Sequence, residues 1–176
     1  TLTVRGITGD STRADLSLGV NPSFSSGSSV TGTFDTTGHS SDLLFGTMTL
    51  GLRGVSNTGG GTGTINFDTG TLDANDLKAG FVTAGTANAT GNVNLSGGTA
   101  TFNTITAAIK LGDNAANAAT ATGNLNISGT ANVTGAAKSG NSIILCNAAV
   151  AGGTANGTVS LSGCSLIVAG DIIGGT

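Results

Sequence analysis

The chain has 176 residues, the size of one domain, with 31 glycines, 6 basic and 9 acidic residues and a net charge of −3. Gly, Thr, Ala, Ser and Asn fill about two thirds of it, every acid is Asp, and Trp, Tyr, Glu and Gln are absent. This composition argues against a helical bundle, disorder driven by charge, collagen, since Pro22 is the one proline, a nucleic-acid-binding surface and insertion into a membrane as an apolar helix.

The elements follow in chain order. The chain begins at Thr1 with no basic-then-apolar leader, which reads as a processed product or a part of something longer. Residues 1–31, with Pro22 and the run SFSSGSSV, depart from the pattern that follows and are read as a partial or atypical N-terminal coil. From 32 to 176 the sequence repeats. A glycine opens an alternating segment at Gly32 (GTFDTTG), Gly63 (GTINFDTG), Gly91 (GNVNLSGG), Gly123 (GNLNISG) and Gly157 (GTVSLSG). The intervals are 31, 28, 32 and 34 residues. A second anchor, an apolar residue followed by glycine, closes each unit at Gly19, Gly51, Gly80 and Gly112, with Cys146 in the last place. Both anchors advance in nearly the same step, the signature of a repeat architecture.

Within each unit the apolar positions alternate with period two, as in strands with one buried face. The inward positions of the first strand are Ile65 and Phe67, Val93 and Leu95, Leu125 and Ile127, and Val159 and Leu161. After a Gly corner a second strand carries Leu72 and Ala74, Ala100 and Phe102, Ala131 and Val133, and Leu166 and Val168. A third carries Leu77 and Ala79, Ile109 and Leu111, and Ile143 and Leu145. Such a unit cannot bury its apolar face alone, but it can when stacked in parallel on a copy of itself. The fold predicted is all-β: a parallel β-solenoid of about five coils of 28–34 residues, three short strands each, forming a rod about 25 Å long. A β-sandwich is less well supported, because hairpin turns favour Asn-Gly or Asp-Gly and only Asn156-Gly157 is present.

The segments GTINFDTGTLDANDLKAG, GNVNLSGGTATFNTITAAIKLG and GTVSLSGCSLIVAGDIIGG resemble the autotransporter-associated β-strand repeat of bacterial surface and passenger proteins, from about Asp15 to Gly175. The resemblance implies a right-handed parallel β-helix, export, and display at a cell surface. It implies no catalytic residues.

Candidate chemistry is sparse. His39 is the sole histidine and lies several coils from Cys146 and Cys164, too far for a nucleophile–base pair, and its polar neighbours read as a solvated loop. The two cysteines are too few for a metal centre; in an exported chain they are a candidate disulfide, with buried free thiols as the alternative. Asp35 and Asp68 look matched in successive coils, and Asp73 and Asp76 follow round the second, with Lys78 and Arg53 near. These four acids are the candidates for a carbohydrate-cleaving or Ca²⁺ site, against a plainer role as corner caps. No cofactor is expected. The pairs Thr47/Thr49, Thr62/Thr64, Thr99/Thr101, Thr104/Thr106 and Thr120/Thr122 raise ice binding, but their offsets from the opening glycines wander.

The leading expectation is therefore a non-enzymatic structural protein, secreted or at a bacterial cell surface. It would act as a rod, filament subunit or adhesin stalk, associating end to end through its open coils or continuing in a longer chain. The alternative is a module that binds or degrades surface polysaccharide, and ice binding is the least favoured.

Overall fold

The computed structural model describes residues 1–9, 11–21, 27–54, 59–103, 109–116, 118–136 and 141–175. Pro22 and the pair Thr104/Thr106 lie outside them. Fifteen strands follow in order: β1 (Leu2–Val4), β2 (Ala14–Asn21), β3 (Val30–Asp35), β4 (Ser41–Arg53), β5 (Gly61–Phe67), β6 (Gly70–Val82), β7 (Ala89–Leu95), β8 (Thr99–Phe102), β9 (Ile109–Asn114), β10 (Thr120–Ser128), β11 (Asn132–Gly135), β12 (Asn141–Ala148), β13 (Thr154–Ser162), β14 (Ser165–Val168) and β15 (Asp171–Gly174). No helix occurs among the described residues.

Every strand pairing is parallel, and each strand pairs with its counterpart one repeat away. One sheet has five strands, in the order β13-β10-β7-β5-β3; the other has ten. The chain is a parallel β-solenoid. Gly32, Gly63, Gly91, Gly123 and Gly157 stand in one column of direct register partners. Four full turns separate the first from the last, fewer than the five coils expected, with an incomplete coil at each end. The first of these is β1 and β2, which pair with β4 and carry Leu18 opposite Leu50.

The three-strand coil holds only in part. In the coils built on β4 and β6 the second and third strands fuse into continuous strands of 13 residues. The cause is connector length: Leu72 and Leu77 are five positions apart, whereas Ala100 and Ile109 are nine apart. Across the longer interval β8 and β9 are separate strands.

The two sheets touch at their backbones. The closing residues Gly19, Gly51, Gly80, Gly112 and Cys146 all have φ between 59° and 71°. Gly175, at 64°, completes this column, because Leu145 pairs with Gly174. A Cβ on Gly80 would meet the Thr122 carbonyl oxygen at 2.0 Å, and one on Gly91 would meet the Leu50 carbonyl oxygen at 2.4 Å. At Gly80 glycine serves both for its left-handed backbone and for the room it leaves, and at Gly91 for the room alone. This double glycine column pinches the cross-section. On one side lies the main core, with Leu43, Phe45, Met48, Leu50, Ile65 and Phe67 among its members; on the other lies a small lobe of Val82, Ala89, Ala116, Ala119 and Ala121.

The alternation is observed nearly as read. Ile65, Phe67, Val93, Leu95, Leu125 and Ile127 are at most 1% exposed. Two corrections arise. Val133, not Ala131, stands in the column of Leu72 and Ala100, and Gly135 faces Phe102. The corner from Ile127 to Val133 is six residues, one more than from Leu95 to Ala100, so parity shifts by one. Leu161, expected inside, is 57% exposed, because β13 has a neighbour on one side only.

Candidate functional site

The four acids proposed from sequence do not form one group: Asp35 and Asp68 meet at the β3–β4 corner on the adjacent amides of Thr37 and Gly38, while Asp73 and Asp76 lie along β6. Asp35 is paired with Asn66, not with Asp68, which lies two residues further along. Asp35 closes its own corner: its Oδ1 accepts bonds from the Thr37 amide (3.0 Å) and the Thr37 hydroxyl (2.7 Å). That is an Asx-type cap. Asp68 caps the corner of the preceding coil, its Oδ2 accepting from the Gly38 amide at 2.8 Å. Asp73, on the outer face of β6, is held by Arg13 at 2.9 Å and by the Asn103 amide nitrogen at 2.6 Å. Asp76 is buried, 5% exposed, in the same strand beside Leu77. Lys78 lies over the Phe81 ring at 5.7 Å. Among the described residues no group of three or more His, Cys or Asp forms a metal donor set.

Arg53, placed near these acids by sequence, is instead wholly buried in the small lobe. It occupies the column of Asn21, Val82 and Asn114, two positions beyond the closing glycines. Burial pulls its guanidinium pKa below the ordinary value. Two members of this column fasten loops. The Asn114 amide nitrogen donates to the carbonyls of Ala119 (2.6 Å) and Thr154 (3.0 Å), and its oxygen accepts from the Ala116 amide (2.8 Å). The Asn21 amide nitrogen donates to Ser28 and Gly59.

His39 lies exposed in the β3–β4 corner, beside a pocket of about 330 Å³ that it lines with Thr1, Leu2, Asp35 and Thr36. A second pocket, about 350 Å³, is polar and lined by residues including Ser29, Thr62, Thr86, Asn88 and Thr90.

Surface carboxylates are fixed by ion pairs and hydrogen bonds. Arg5 pairs with Asp42, whose second oxygen accepts from the Thr71 hydroxyl at 3.0 Å. The Arg5 contact, then Thr71, hold the Asp42 carboxyl below its ordinary value of 3.8, and the Thr37 bonds do the same for Asp35. A carboxylate with a lowered folded pKa contributes stability that is complete above the unfolded pKa and is lost as pH falls through the folded one. Both groups stand in solvent, so the contributions are small. Calorimetry across pH should show a melting temperature that drops below about pH 4. Asp42→Asn should shallow that acid limb and leave less difference between neutral and acidic melts.

The candidate disulfide is not formed; both thiols are free. The Cys146 sulfur accepts from the Gly157 amide at 2.9 Å, whereas the Cys164 thiol donates to the Ile127 carbonyl at 3.1 Å. Ile127 pairs with Leu161, so the thiols sit near opposite ends of the strand carrying Gly157 and Leu161. Four residues of extended chain span about 13 Å, beyond the roughly 7 Å limit for a disulfide. Cys146 also carries a side chain at φ 59°, where its column otherwise uses glycine. Cys146→Gly should therefore stabilise the fold by about 1 kcal/mol, the usual left-handed penalty, while Cys146→Val should destabilise it. Urea unfolding of both variants decides the sign.

What sequence reading missed is the outer face of the five-stranded sheet. The residues flanking each opening glycine form aligned columns: Thr31, Thr62, Thr90, Thr122 and Asn156 on one side, and Thr33, Thr64, Asn92, Asn124 and Thr158 on the other. A third column holds Asp35, Asn66, Asn94, Asn126 and Ser160. Side-chain amides bond from coil to coil: Asn94 to Asn66 (2.9 Å), Asn126 to Asn94 (2.8 Å), Asn124 to Asn92 (2.9 Å) and Asn92 to the Thr64 hydroxyl (3.3 Å). The constant offset that the Thr-x-Thr pairs lack appears once Thr and Asn are taken together at the positions flanking each opening glycine.

The fold and this surface define a parallel β-solenoid with a pinched interior and a ranked polar face. Comparison with protein-family models, with curated proteins and with solved structures finds no match to the chain.

Proposed function

We propose that the chain is an extracellular structural module, a rod segment whose coils extend by stacking, without enzymatic activity. The observation that carries this reading is the last coil. β13 and β14 keep the column register of the coils below, β15 follows after a slip between Asn141 and Ile143, and all three pair on one side only. Leu161 and Ile172, both at inward positions, are 57% and 49% exposed there. Leu166 and Val168 are half-buried on the same stacking surface. An unpaired parallel edge beside an exposed apolar interior is a template for another coil, in a longer chain or a second copy. The repeat resemblance to autotransporter passengers supports a place outside a bacterial cell.

Sedimentation velocity over a range of concentrations, with negative-stain imaging, tests the reading. Concentration-dependent end-to-end assembly that Leu161→Lys with Ile172→Lys abolishes supports it. A monomer at every concentration, unchanged by those substitutions, contradicts self-assembly. The polysaccharide reading loses its proposed groove, since Asp35 and Asp68 cap corners and Asp73 is tied to Arg13.

A further inference from the structure

We propose that the outer face of the five-stranded sheet is an ice-binding surface. The inference is independent of the structural role above. Three columns by five ranks give fifteen positions, occupied by Thr, Asn and Ser with the single exception of Asp35 at one corner. The register runs through all five strands without a shift, whereas the larger sheet slips between Ala14 and Leu16 and between Asn141 and Ile143. Ranks in such a sheet are about 4.8 Å apart and alternate residues along a strand about 6.7 Å apart. The grid therefore repeats in two directions.

Physical features of the grid favour crystalline water as the ligand. Threonine is stiff about χ1, so its hydroxyl and methyl point where the backbone sends them. The Asn66–Asn94–Asn126 and Thr64–Asn92–Asn124 chains of hydrogen bonds fix the amides from coil to coil. Such prepositioned groups can hold first-shell water in an ordered layer that merges into a growing lattice. A charged face would impose its own hydration instead, and fourteen of the fifteen positions carry no charge. A sugar chain repeats in one direction only, and its faces favour aromatic rings, of which this grid has none.

The experiment measures thermal hysteresis, ice-crystal shape and adsorption to an ice surface for the purified chain. Variants are Thr90→Lys and Asn92→Lys at the grid centre and Thr101→Lys on the outer face of the larger sheet. Circular dichroism and melting temperature establish that each is folded. The expected result is faceted crystals and measurable hysteresis for the wild type and for Thr101→Lys, both lost in the two grid variants. The proposal is overturned if the wild type neither shapes nor adsorbs to ice, or if folded grid variants retain the full effect. It is equally overturned if the grid variants lose binding to an insoluble neutral polysaccharide while ice is unaffected throughout.

Discussion

Gly80→Ala is expected to cost about 2–5 kcal/mol, a large share of the chain's stability. Two costs fall on the same atom. The backbone at Gly80 has φ +68°, where a side chain costs about 1–2 kcal/mol. The new Cβ would lie 2.0 Å from the Thr122 carbonyl oxygen, inside any van der Waals contact. That oxygen belongs to the backbone of β10, which is paired on both sides, so it cannot swing away. Overpacking of a core adds about 1–3 kcal/mol, and the sum takes a large share of the roughly 5–15 kcal/mol of a typical domain. Gly38→Ala is the control. It shares a positive φ, +77°, but has nothing within 4 Å, so it should cost only about the backbone penalty. Urea midpoints for the two variants separate conformational strain from the pinch. Equal losses would mean that the sheets do not touch at the glycine columns.

Phe67→Ala should cost about 3–5 kcal/mol, while Leu161→Ala should cost less than about 1 kcal/mol. The two residues occupy the same column, with Leu95 and Ile127 between them. Phe67 is wholly buried, with a neighbouring coil above and below, so its removal leaves a cavity that paired backbones cannot collapse. Leu161 is 57% exposed and has lost one of those neighbours. Chemistry of similar size thus has different consequences according to rank in the stack. Chemical denaturation of both variants reads the contrast directly; similar losses would contradict the open end at β13.

The parts of the fold legible in sequence are those where one residue type alone fits. Gly63, Gly91 and Gly123 mark themselves, because nothing larger passes the opposite backbone. The closing column was equally plain up to Cys146, but Gly175 was hidden by the doubled glycine of DIIGG. Asp35 and Asp68 were mismatched because each follows a phenylalanine. Counted from the opening glycine, Phe34 is at the second position and Phe67 at the fourth, so the aspartates occupy different columns. The extra corner residue before Val133 likewise has no mark in composition. The grid is hidden in the Thr-x-Thr spelling, because asparagine replaces threonine in Thr90/Asn92 and Asn156/Thr158 and the Thr31/Thr33 pair lies at the margin of the repeat. Arg53 gave no signal of burial, since a lone arginine in a polar chain reads as surface. Its place in the small lobe follows from its register with Asn21, Val82 and Asn114, two positions beyond the left-handed Gly51.

Stacked register is the central claim, and engineered disulfides test it most directly. In a background of Cys146→Gly and Cys164→Ser, Asn66→Cys is combined with Asn94→Cys or with Asn126→Cys. Adjacent coils bring paired Cα atoms to about 5 Å, within reach of a disulfide, while two coils separate them by nearly 10 Å. The parallel column of Asn66, Asn94 and Asn126 predicts rapid intramolecular oxidation of the first pair and none of the second. Oxidation of the second pair, or of neither, in a folded monomer would contradict it.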